Sequence, residues 1–155
     1  VIATKSARPP FIECPLLPIN DGPGHWVAKA AISALDAWVR SGSAPSAAPR
    51  LQVNAEESVF DLDTQGNALG GIRSPYVDAP VAVLSGLGQG AGFCDLFGTT
   101  LLFDDVQLAA LYPDRDAYTT AIDEATDAAV SAGFLLPADA RLIRSRARTS
   151  DVVPP

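Results

Sequence analysis

Apolar positions along this chain change period several times, and each change predicts an element. From 25 to 41, Val27, Ala31, Ala34, Leu35 and Trp38 fall on one stripe at helical spacing, with Lys29, Ser33, Asp36 and Arg40 away from it. That pattern predicts an amphipathic helix that buries Leu35 and Trp38 against a core, closed by Gly42 as its C-terminal glycine. Residues 43–49, small and proline-containing, read as a linker. Between 50 and 85 the period shortens to two: Arg50-Leu-Gln-Val53 and Ser58-Val-Phe-Asp-Leu62 alternate. Asp63-Thr-Gln-Gly-Asn67 is a turn signal, and residues 68–72 are expected to return as the second strand of a hairpin. Pro80-Val-Ala-Val-Leu84, a β-branched run bounded by proline and glycine, reads as a further strand.

Residues 86–98 are rich in glycine but carry Phe93, Cys94 and Phe97, which predicts a loop that packs. The remainder reads as helical. Asp104 caps a short helix that runs through Leu111 and stops at Pro113. A longer helix covers 115–132, with Tyr118, Ile122, Ala125 and Ala129 on one face and Gly133 at its end. The last helix opens near Pro137 and carries Leu142 and Ile143 among Arg141, Arg144, Arg146 and Arg148. Those arginines read as a solvated helix face with acidic neighbours. The tail from Asp151 is expected to fray, and the proline-rich stretch 1–24 to lie extended over another surface. As a fragment the chain reads as α+β: one amphipathic helix, a β-hairpin and short strands, then a helical region over 104–148, all in a single partial domain.

The length, 155 residues with 48% hydrophobic content, suffices for one domain with a real core. A net charge of -7 argues against a nucleic-acid partner, whose phosphates call for a basic face. No stretch approaches a membrane span, so no membrane partner is expected, and no signal peptide opens the chain. Methionine is absent even from position 1, which predicts a processed chain or a portion of a longer reading frame. Cys14 and Cys94 fit no CxxC knuckle; the expectation is two buried apolar thiols, the alternative one long-range disulfide in an oxidising compartment.

Acyl-transfer chemistry at a serine needs the nucleophile on a sharp strand-to-helix turn between close glycines, G-x-S-x-G, and no such match exists in the chain. The one histidine, His25, follows Gly22-Pro-Gly24 and precedes the 25–41 helix. A glycine-rich loop before a helix exposes an imidazole as a general base would require, but a histidine that packs or caps the helix start is the preferred reading. Gly86-Leu-Gly88-Gln-Gly90-Ala91 after a strand fits the G-x-G-x-x-A phosphate turn, but the residues that follow open a helix poorly, so a packed loop is preferred to a nucleotide-binding one. Arg73 and Asp78 bracket a turn; a charge-assisted lock is favoured there over a substrate contact. No metal ligand set and no cofactor site is expected.

Several phrases, in order, resemble a known family: Pro18-Ile-Asn-Asp-Gly-Pro23, Ala30-Ala-Ile-Ser-Ala-Leu-Asp-Ala-Trp-Val39, Gly42-Ser-Ala-Pro45, Gly66-Asn-Ala-Leu-Gly-Gly-Ile-Arg73-Ser-Pro75 with Val77-Asp78-Ala-Pro80, Leu96-Phe-Gly98, Leu108-Ala-Ala-Leu-Tyr-Pro113 and Ala132-Gly-Phe-Leu-Leu-Pro137. The chain resembles the C-terminal part of the large bacterial α/β-hydrolase domain proteins, and its Trp-Val followed by glycine and Ala-Pro is similar to the C-terminal helix of tannase and feruloyl-esterase-like enzymes. The resemblance implies an α/β fold and a serine hydrolase acting on a small-molecule ester or related acyl bond. It also implies that the serine elbow, and a histidine in a phrase ending His-Ala-Asp, lie upstream. His25 would then be a neighbour of the site and the chain inactive alone, its partner the upstream part of the same protein, secreted or periplasmic or otherwise cytoplasmic. A non-catalytic accessory or binding module is the competing expectation.

Overall fold

The computed structural model describes Cys14, Ile19–Asn20 and residues 22–153. Among the described residues it is a mixed α+β structure with five α-helices and two small antiparallel sheets of two strands each. Helix α1 spans Gly24–Ser41 and ends where Gly42 takes φ +75°, its N–H donating to the Trp38 carbonyl at 2.8 Å. Strands β1 (Val53–Asn54) and β2 (Val59–Phe60) form the first sheet. The 63–67 turn forms as expected: the Asp63 carboxylate accepts from the N–H groups of Gln65 and Asn67, and Gly66 adopts φ +89°. The return strand over 68–72 does not. It is reduced to a bridge between Leu62 and Ala68, because Gly70 and Gly71 turn the chain at positive φ.

Residues 75–78 form the short helix α2, read from sequence as a turn, with Pro75 at its first position. Strand β3 (Ala82–Ser85) pairs with β4 (Thr99–Leu102), register Ala82 to Leu102 and Ser85 to Thr99. β4 went unread because its four residues bury at one end only, leaving Leu101 and Leu102 half exposed. Ile19 bridges Thr99 beyond β4, and the Asn20 N–H donates to Gly98 at 2.9 Å. Of the stretch 1–24 expected to lie extended, residues 1–13, 15–18 and 21 lie outside the described residues, and Gly24 already opens α1.

α3 (Asp105–Leu111) opens with a full capping box between Asp104 and Gln107. α4 (Arg115–Ser131) buries Tyr118, Ile122, Ala125 and Ala129, the face read from its period. α5 (Pro137–Arg148) lays Ala140, Ile143 and Ala147 against α4, where small side chains let the helices approach, while Leu142 stays half exposed. Arg144 closes the outside of this seam by pairing with Asp123 and Asp127, and Arg148 with Asp123. The core joins this helix pair to Trp26, Tyr76, Val81, Phe103, Leu108, Tyr112 and Leu135. The tail does not fray at 151–153: Val153 is 1% exposed, because its side chain plugs the same core.

Two sequence expectations are corrected here. Cys14 and Cys94 are not free thiols but a disulfide, with Cα atoms 5.5 Å apart across 80 residues of sequence. The 25–41 stripe is not buried either: the core takes Trp26 and Ala30, while Leu35 and Trp38 remain 55% and 46% exposed. The inner face of α1 is therefore displaced from the most apolar stripe, and only its first two turns reach the core.

Candidate functional site

Among the described residues two places gather chemistry-bearing side chains, and neither brings a nucleophile to a base. His25, the second residue of α1, is exposed, and its ring lies against Trp26 with centroids 4.1 Å apart at 43°. Among the described residues no carboxylate is ion-paired to it, whereas a working base of the serine type is held by an orienting partner. The cluster beneath includes two residues, Lys29 and Arg146, that the sequence reading placed on solvent-facing sides of their helices. Lys29 Nζ sits 4.4 Å from the Trp26 ring centre, and Arg146 Cζ 5.5 Å from it. Lys29 also donates to Asp139 Oδ1 at 3.0 Å. Asp139 is 5% exposed in the first turn of α5, where the helix dipole favours its charge. Its Oδ2, like Trp26 Nε1, has no hydrogen-bond partner. The i,i+3 spacing of Trp26 and Lys29 was the one signal in the sequence for this cluster. Its effect is to tie α1 to α5.

The second place is the 63–78 turn. Arg73 Nε donates to Asp78 Oδ1 at 2.5 Å and Nη2 to Asp63 Oδ2 at 3.2 Å. Nη1 donates to the Ala68 carbonyl at 3.0 Å, and Nη2 also reaches the Val77 carbonyl at 3.4 Å. Burial works against the charge of the guanidinium, but hydrogen bonds and attraction from Asp78 and Asp63 outweigh it, so its pKa lies above the ordinary value. With each guanidinium nitrogen engaged by the protein, Arg73 fastens the turn to α2. Asp63 was the missed member, since it reads in sequence only as a turn residue.

The glycine loop supplies no phosphate cradle. After Gly86, Gly88 and Gly90 comes a five-residue 3-10 turn, Gly92–Leu96, which offers no α-helical N-terminus to an anion, and Cys94 in it is bonded to Cys14. The glycines serve close packing: a side chain at Gly98 would collide with the Ser85 carbonyl, and one at Gly88 with Asp95. Asn67 and Asn20 also went unread. Asn67, 1% exposed, donates through Nδ2 to the Ala82 carbonyl at 3.3 Å and accepts the Leu84 N–H at 2.8 Å, so its amide fills the place of a strand neighbour along β3. Asn20 Nδ2 donates to the Ser85 carbonyl at 2.7 Å.

Among the described residues no group of three or more His, Cys, Asp or Glu could hold a metal ion, and no helix is long and apolar enough to cross a membrane. An apolar groove of about 470 Å³ runs along the outer side of α1, walled by Leu35, Trp38, Pro45, Ile72 and Phe134.

Compared with known protein families, residues 2–145 match the model described as an alpha/beta hydrolase domain. The chain belongs to that family. Neither the curated proteins nor the solved structures gave a match.

Proposed function

We propose that this chain is the C-terminal segment of an esterase-like serine hydrolase that cleaves an acyl bond in a small molecule, and that its nucleophile comes from an upstream part of the same protein. Family membership over residues 2–145 carries the reading. The sequence limits it, because without a G-x-S-x-G turn these residues cannot form an acyl-enzyme by themselves. On this reading His25 adjoins the site and is not its base, since it is exposed and its ring is tilted against Trp26. Arg73 and Asp78 hold a turn and do not touch substrate. The Cys14–Cys94 bond favours an oxidising compartment, outside the cytoplasm.

The test is labelling by a fluorophosphonate serine probe, with turnover of activated esters, for the 155-residue chain and for the protein translated from the whole reading frame. The longer protein is expected to take up one probe per molecule and the short chain none. Stoichiometric labelling of the short chain would place the nucleophile inside it and overturn the reading. A frame that begins just before Val1 would leave a non-catalytic module instead. In the longer protein His25→Ala should lower turnover modestly; abolition, with folding intact, would make His25 the base.

A further inference from the structure

We propose that Arg146, Lys29 and His25, gathered around the Trp26 indole, form a binding site for a small oxyanion, the carboxylate of an organic acid or a phosphate. The site needs neither a nucleophile nor an upstream part, so it stands apart from the hydrolase reading. The three basic side chains come from two elements, α1 and α5, and all three residues are exposed. Lys29 Nζ and Arg146 Cζ lie over the same ring, 4.4 and 5.5 Å from its centre, so the two cations are no further apart than those distances laid end to end. An oxyanion with hydrogen bonds of about 2.8 Å on either side bridges such a span. The His25 ring centre is 4.1 Å from that of Trp26.

Charge singles this place out. The chain carries a net charge of -7, and most of its cations are matched: Arg144 and Arg148 take Asp123 and Asp127, Arg40 takes Asp36, and Arg73 takes Asp63 and Asp78. The acidic neighbours expected for the α5 arginines are missing at Arg146, which among the described residues pairs with no carboxylate and donates no hydrogen bond. Its planar fork of N–H donors is left for a carboxylate or a phosphate, which a guanidinium grips with two parallel bonds. Lys29 gives one N–H to Asp139 and keeps a half-exposed ammonium. Asp139, the one carboxylate of the cluster, is buried and offsets the charge of Lys29 alone.

The donors are held in place before a ligand arrives. Trp26 is 4% exposed and belongs to the core, so its ring is a fixed floor, and both cations are drawn to it. Asp139, set in the first turn of α5, holds Lys29 at 3.0 Å. Side chains already ordered lose little rotamer freedom on binding, which separates this arrangement from basic residues that move freely in solvent. Because the indole is covered, it offers a ligand no stacking surface. Recognition is therefore by charge and hydrogen bonds to an oxyanion head group and not by contact with an apolar or aromatic body.

The test uses the 155-residue chain carrying Trp38→Phe, which leaves Trp26 as the sole tryptophan and so as the reporter. Succinate and inorganic phosphate are titrated separately at constant ionic strength, with sodium chloride making up the balance, and followed by fluorescence and by calorimetry. At least one of them should bind saturably at a single site, with a Kd of about 1 mM or tighter. Saturation by succinate alone identifies an organic acid as the ligand, by phosphate alone a phosphate, and by both a site that reads the oxyanion only; each supports the proposal. Arg146→Gln should weaken binding about tenfold or more, and Arg146→Lys, which keeps the charge but loses the fork, about threefold. Lys29→Gln should weaken it about fivefold and His25→Ala about twofold. Arg141→Gln, elsewhere on the exposed surface of α5, should change nothing. Arg146 is exposed, so its variants should keep the parent's melting temperature; if Arg146→Gln does not fold, Arg146→Lys decides. A response that stays linear with both anions overturns the proposal, because it would be screening alone. So does an Arg146→Gln chain that binds as tightly as its parent, or an equal loss in Arg141→Gln, which would make the attraction one of general charge.

Discussion

Reduction of the Cys14–Cys94 disulfide should be the most damaging mild perturbation of this protein. The bond joins residues 80 apart in sequence, so it constrains about half of the unfolded chain. Chain-entropy reasoning for a loop of that size gives a stabilisation of about 4.5 kcal/mol at 25 °C, an upper figure because denatured chains keep residual structure. For a domain whose total stability is about 5–15 kcal/mol, that is a large share. The bond acts mainly on the unfolded state, so the loss should appear even though the Ile19–Thr99 bridge and the Asn20 hydrogen bonds hold the same segment in the fold. The assay is urea unfolding followed by tryptophan fluorescence, with and without reductant, beside a Cys14→Ala/Cys94→Ala double variant. With a slope of about 2 kcal/mol/M, the midpoint should fall by about 2 M in both cases. Midpoints agreeing within error would refute the loop-closure argument; two reactive thiols in the unreduced, unfolded protein would refute the bond itself.

Tyr118 and Tyr112 make stability fall at high pH. Burial, reinforced by Tyr76, pushes the Tyr118 hydroxyl up to about 12, and burial raises Tyr112 too, its hydroxyl donating to the Pro80 carbonyl at 3.0 Å. A raised folded pKa means the contribution is whole below the unfolded value of about 10 and is lost as pH climbs through about 12. Urea midpoints measured from pH 9 to 12 should therefore decline, and an absorbance titration in which all three tyrosines ionise near pH 10 would contradict this. Arg73→Met should cost about 2–3 kcal/mol in thermal or urea unfolding, because it strands the largely buried Asp63 carboxylate and the Ala68 carbonyl; a change below about 0.5 kcal/mol would show the turn does not depend on it. Ile122→Ala, at 2% exposure, should cost about 2–5 kcal/mol, and Leu35→Ala in the 155-residue chain well under that. Equal losses would mean the outer face of α1 is covered in solution.

What the sequence by itself determined were features whose signal is local. The α4 face is legible because Tyr118, Ile122, Ala125 and Ala129 repeat at helical spacing along 17 residues. The α1 stop at Gly42 and the box at Asp104 follow from backbone chemistry of single residues. The resemblance to α/β-hydrolases was carried by ordered phrases, and the family match over 2–145 agrees with it at that coarse level. Tertiary structure decided whatever depends on residues distant in sequence. The period of α1 identifies an apolar stripe but cannot say what covers it, and the core took Trp26 and Ala30 instead. No spacing pairs Cys14 with Cys94, since a disulfide is set by distance in space. Lys29 and Asp139 lie 110 residues apart, and each alone reads as a solvated charge. Asn67 reads as a turn residue because its turn is local, whereas its second task, closing the edge of β3, exists only once residues 82–84 lie beside it. A side chain's local preferences are written in its neighbours along the chain, but its burial and its partners are set by whatever the fold brings against it.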